Sequence, residues 1–150
     1  MAERDAAGLP YTDKDHIQLL QQEYESAAVH GGREAVEKCF NLTWALVHSY
    51  QKHDASRGLE LISALLTSDA AETRELLYLR AVAQFRLRHY LDSRNTLKSL
   101  LEQYPDFRQA QALLDAVEHE VVKDGLIGVG AGAAIIGIVA SIAVAAMKKR

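Results

Sequence analysis

The chain has 150 residues, with 17 basic and 20 acidic side chains, a net charge of −3 and 49% hydrophobic residues. That balance excludes a disordered chain, a collagen and a disulfide scaffold, and the length suits one domain. The single cysteine, Cys39, permits no intrachain disulfide and fits a reducing compartment.

Residues 1–12 read as a flexible N-terminal arm. The arm is polar and carries acids, so it has neither the apolar stretch of a signal peptide nor the acid-poor, Arg-rich character of a transit peptide. Residues 13–124 read as one cytosolic helical domain. Apolar residues favour helix over strand, with 19 Leu against 9 Val plus Ile in residues 1–124, and no convincing alternating run is present. The only prolines, Pro10 and Pro105, leave everything between Tyr11 and Tyr104 open to helix.

Apolar periodicity predicts six helices in that stretch. The first covers 13–29, with Ile17, Leu20, Tyr24 and Ala27 on one face, Thr12 or Asp13 as its cap, and Gly31-Gly32 as its stop. The second covers 34–50 and the third 54–67, the latter with Leu59, Ile62, Leu65 and Leu66 as its stripe. The fourth covers 72–88 and the fifth 90–103. The sixth covers 107–123 and is expected to run into the segment after it with little interruption.

An internal repeat relates the second and third helices to the fourth and fifth. Ala45 matches Ala81, Gly58 matches Ser93, Ile62 matches Leu97, and Leu65-Leu66 matches Leu100-Leu101, at an offset of 35 to 36 residues. That is the period of a tetratricopeptide array, in which paired helices approach closely at small residues. The expected fold is therefore all-α: a six-helix bundle with two tetratricopeptide-like hairpins, plus one C-terminal transmembrane helix. The outer two helices cap the stack, because a repeat cannot bury its apolar face alone.

In such arrays the first helix of each pair lines the concave side. The repeat alignment puts Cys39, Leu42, Leu46, Ser49 and Tyr50 there from one copy. The other copy contributes Glu75, Tyr78, Val82, Phe85 and Arg86. The mostly apolar set suits an extended peptide or a partner's helix, and some of its members are equally suited to packing against the first helix. The arm, with Leu9, Pro10 and Tyr11, is also able to lie in the groove and regulate access. Leu46→Asp or Tyr78→Ala is expected to weaken partner recruitment with helix content kept.

Residues 125–147 are 23 positions without a charge, holding 17 apolar residues, five glycines and Ser141. As a helix they rise about 34 Å, enough to cross a hydrocarbon core of roughly 30 Å. Lys148, Lys149 and Arg150 follow, while every acid lies at or before Asp124, so residues 1–124 carry a net of −6. The pattern reads as a tail anchor in the lipid bilayer with a basic targeting end and the N-terminal domain in the cytosol. Gly128 with Gly132, and Gly137 with Ser141, have the small-residue spacing of packed membrane helices, which leaves a homo-oligomer open. Equally, the small residues serve only to moderate hydrophobicity.

Catalytic and cofactor chemistry finds little support. None of the six histidines forms an i,i+4 pair or has a cysteine at ligand spacing, so no metal or other cofactor is expected. The GxG spacing after Gly125 opens an apolar span and follows no strand, which fails the context of a nucleotide loop. An acidic domain without a continuous basic face argues against nucleic acid.

Several stretches resemble the mitochondrial fission 1 family of tail-anchored organelle-fission adaptors. They are Trp44-Ala45-Leu46-Val47-His48-Ser49, Arg57-Gly58 with Leu61-Ile62, and Leu77-Tyr78-Leu79-Arg80-Ala81-Val82-Ala83. The junction Lys123-Asp124-Gly125-Leu126-Ile127-Gly128 is the most distinctive. The likeness covers about residues 34–150 and is poor over the first 33. It implies a single-pass protein of the mitochondrial outer membrane, and of peroxisomes, with no enzymatic activity. It implies recruitment of a dynamin-related GTPase, directly or through adaptor proteins. The alternative is a tail-anchored co-chaperone docking protein for chaperone C-terminal peptides. That alternative wants polar clamp residues where Leu42 and Leu46 stand.

Overall fold

Asp13 begins the helical part of the chain: its Oδ1 accepts the His16 amide at 2.8 Å and satisfies a donor that the first turn leaves open. The computed structural model describes residues 3–69 and 72–126. Within them six helices follow in order: α1 (Lys14–Ala28), α2 (Gly32–Val47), α3 (Lys52–Leu65), α4 (Thr73–Arg86), α5 (Tyr90–Gln103) and α6 (Arg108–Lys123). Short connections make successive helices antiparallel, and α2 packs on α3 and α4 on α5 as two hairpins. Helix α1 covers α2 and α6 covers α5, as expected of caps. Helix α2 also touches α4, and α4 touches α6, so these three share one side of the stack.

Small residues set the spacing of both hairpins. Gly58 on α3 is buried, and a Cβ built there would lie 2.7 Å from Val47 Cγ2 on α2. Val47 is itself fully buried. Gly58→Ala is therefore expected to destabilise the domain by about 1–3 kcal/mol through overpacking. A thermal midpoint unchanged by the substitution would show that α2 and α3 have slack. In the second hairpin Ser93 takes the matching place, and its hydroxyl donates to the Ala81 carbonyl at 2.8 Å, which explains a polar residue at a close-approach position. Leu76, Leu79, Val82, Leu97, Leu100, Val117 and Val121 complete the core between α4, α5 and α6.

Two helix ends differ from expectation. Helix α2 stops at Val47, because Ser49 and Tyr50 leave the helix: the Thr12 amide donates to the His48 carbonyl at 2.8 Å and Thr12 pairs in parallel with Ser49. Helix α6 does not run on past Lys123. Leu126 N–H donates to the Val121 carbonyl and Gly125 N–H to that of Val122, with Gly125 at φ +72, which is a Schellman cap. The remainder of the predicted span 125–147 lies outside the described residues. So do its small residues Gly128, Gly132, Gly137 and Ser141 and the basic end Lys148, Lys149 and Arg150. No helix among the described residues is long and apolar enough to cross a membrane.

Candidate partner-binding groove

Residues 3–12 form a small hairpin that lies against the side shared by α2, α4 and α6. Tyr11 N–H donates to the Glu3 carbonyl at 3.1 Å and Asp5 N–H to that of Leu9 at 2.9 Å. The loop between them is held by Asp5, whose Oδ1 accepts the amides of Ala7 and Leu9, both at 2.9 Å. Gly8 sits at φ +79, a conformation that side chains resist, so the loop turns there. Leu9 is buried, next to a cleft of about 320 Å³ bordered by Trp44 and His48 of the α2 end, Tyr78 of α4 and Leu113 of α6.

Arg86, the last residue of α4, is the charged contact beneath this hairpin. Its Nη2 donates to the Pro10 carbonyl at 2.9 Å and its Nε lies 3.2 Å from Asp5 Oδ2. The guanidinium carbon stands 4.2 Å from the centre of the Tyr11 ring, within cation–π range. Tyr11 in turn stacks on Tyr50 at 4.0 Å with 9° between the rings. Tyr50 is 54% exposed, and its hydroxyl donates to Glu3 Oε2 at 2.7 Å, which pushes the phenol above its usual pKa.

Ser49 locks the turn that carries Tyr50. Its hydroxyl donates to Asp54 Oδ2 at 2.6 Å and accepts the Gln51 amide at 3.0 Å. His48 stacks on Trp44 at 4.0 Å, and its Nδ1 lies 2.8 Å from the Trp44 carbonyl, which as an acceptor requires Nδ1–H. Burial pulls the His48 pKa down to about 4, so the ring is neutral at physiological pH. Tyr78 is half-buried, 5.3 Å from Phe107 at the start of α6, and burial raises its pKa.

The structure divides the residues predicted to line the groove. Ser49, Tyr50, Tyr78 and Arg86 gather around the hairpin. Cys39, Leu42 and Leu46 do not. Leu42 and Leu46 are fully buried in a cluster with Ile17 of α1 and Ala45, flanked by Leu20, Tyr24 and Leu61. Cys39 is buried beside Tyr24, and burial holds its thiol above the usual pKa. These three fill the seam under α1, because the apolar stripe of α1 covers that face of α2. Val82 is fully buried in the core, and Phe85 packs 5.7 Å from Tyr90 on α5. Glu75 is half-buried and pairs with Arg74 at 2.7 Å. Sequence reasoning missed Trp44 and His48, whose i,i+4 spacing on α2 marks the face next to the predicted one, and also Leu113 of α6.

The model of the Fis1 C-terminal tetratricopeptide repeat matches residues 74–126. Mitochondrial fission 1 protein B of Arabidopsis thaliana is 38% identical over 149 residues, covering 98% of this chain and 88% of the relative. The chain belongs to the mitochondrial fission 1 protein family. A second family member, from Mycosarcoma maydis, is 33% identical over 137 residues, 89% of this chain and 87% of its own length. Among solved structures, yeast Fis1 in complex with an Mdv1 fragment containing N-terminal extension and coiled coil domains has a TM-score of 0.67. It is 24% identical and covers 77% of this chain and 91% of that one. Saccharomyces cerevisiae Fis1 alone gives a TM-score of 0.66 at 23% identity, over 77% of this chain and 88% of the other. These likenesses establish that the six-helix fold is that of mitochondrial fission 1 proteins.

Proposed function

We propose that the chain is a fission adaptor of the mitochondrial outer membrane, and of peroxisomes, that recruits a dynamin-related GTPase or its adaptor proteins. Family membership over nearly the whole length carries this reading: 38% identity to a mitochondrial fission 1 protein across 98% of the chain. The complex of yeast Fis1 with an Mdv1 fragment supports a binding role for this fold. In this reading residues 125–147 anchor the protein in the bilayer, Lys148, Lys149 and Arg150 favour the mitochondrial address, and residues 13–124 face the cytosol. The groove around Ser49, Tyr50, Tyr78 and Arg86 takes the partner, and holding it at the membrane raises the partner's local concentration. The hairpin of residues 3–12 occupies the same surface and so competes with the partner in cis. No chemical step is part of the function.

Deleting residues 125–150 is expected to leave a helical protein that no longer reaches mitochondria. Fluorescence microscopy of the tagged truncation tests this directly. Retained mitochondrial localisation would remove the anchor from the proposal.

A further inference from the structure

Arg86 is only 8% exposed at its side chain while the arm is in place, yet its bonding there is incomplete. Nη2 donates to Pro10, but Nε meets Asp5 Oδ2 off the hydrogen-bond direction and Nη1 has no hydrogen-bond partner among the described residues. Asp5 is not free to turn, because its other oxygen holds the amides of Ala7 and Leu9. A guanidinium presents a planar fork of donors that a carboxylate fits face-on with two parallel hydrogen bonds. The arm therefore leaves Arg86 unsaturated, and a ligand with an unconstrained carboxylate satisfies it better. Conversely, a partner that covers this end of the groove without an acid reburies an unpaired cation at a cost in affinity. Beside Arg86, the buried seat of Leu9 adjoins a cleft that Trp44, Tyr78 and Leu113 also line, and the Tyr50 ring offers a stacking face when Tyr11 leaves it.

We infer that the groove selects a partner segment carrying an acidic side chain for Arg86, an apolar one for the Leu9 seat and an aromatic ring for Tyr50, at the spacing of Asp5, Leu9 and Tyr11. The inference rests on the groove reading above and narrows its ligand to one chemistry. The arm is the in-cis version of that ligand, with its acid partly diverted to holding its own loop. Partner entry then exchanges an acid held by its own loop for a free one at the same guanidinium.

The test uses full-length protein in detergent micelles, with Asp5→Asn and Tyr11→Ala to loosen the arm, titrated with fluorescent peptides by anisotropy. One peptide carries Glu, Leu and Tyr at the arm's spacing, a second replaces that Glu by Gln, and a third forms a basic amphipathic helix. The acidic peptide is expected to bind about tenfold tighter than its Gln counterpart, the size of one charge-assisted hydrogen bond. Arg86→Gln in the protein is expected to erase that difference, and Arg86→Lys to keep part of it. Equal binding of the Glu and Gln peptides, no binding of either, or preference for the basic helix would overturn the inference. The adaptor role fails on a separate readout, unaltered mitochondrial division in cells lacking the chain, so the two failures are distinguishable.

Discussion

Leu46→Asp is expected to abolish cooperative folding of the helical domain. Leu46 is fully buried, and its neighbours Ile17, Leu42 and Ala45 are apolar. Truncating a buried leucine costs about 2–5 kcal/mol through lost transfer energy and the cavity left behind. An unpaired carboxylate in the same seam adds several kcal/mol more, either as a buried charge or as the cost of protonating it. The total is comparable with the roughly 5–15 kcal/mol that holds a domain together. Far-UV circular dichroism and urea unfolding check the outcome. A retained two-state transition near the parent midpoint would mean that α1 lifts away to hydrate the site. Tyr78→Ala is the contrasting case: the residue is half-buried beside the groove cleft, so the fold survives its loss and any effect on recruitment reads the groove itself. The sequence alone predicts the same behaviour for both substitutions, and the burial of Leu46 under α1 separates them.

Arg86→Glu is expected to release the arm while the six helices stay formed. The change removes the bond to the Pro10 carbonyl, the ion pair with Asp5 and the cation over Tyr11, and sets a second carboxylate against Asp5. A hydrogen bond from a charged group contributes about 1.5–3 kcal/mol and a cation–π contact about 0.5–2 kcal/mol. Their combined loss lowers the closed-to-open ratio of the arm by roughly 30-fold or more. Amide exchange at Thr12, whose N–H donates to the His48 carbonyl, reports the opening. Exchange at Thr12 as slow as in the parent would show that the Tyr11–Tyr50 stack and the hairpin's own bonds suffice to hold the arm. Asp5→Asn makes a milder comparison, because an amide oxygen still accepts the loop amides of Ala7 and Leu9 while the charge facing Arg86 is gone.

The sequence by itself determined the number and order of the helices, the two-hairpin repeat and its small residues at Gly58, Ala81 and Ser93. Those features are local: the apolar period within each segment, the Gly31-Gly32 stop and Pro105 all act within one or two turns. The stop after α6 is different: the apolar residues beyond Asp124 favour reading a continuous helix, whereas Gly125 at φ +72 caps α6. Only the tertiary structure decided which side of α2 is open. Cys39, Leu42 and Leu46 on one side, and Trp44 and His48 on the neighbouring one, are both apolar enough to be buried or to bind. Packing of α1 claims the first side and leaves the second to the arm. The pairing of Asp5 with Arg86, Pro10 with Arg86 and Tyr11 with Tyr50 likewise joins residues far apart in the chain. No local pattern encodes such contacts, because they exist only once the stack of helices has formed a surface for the arm to meet.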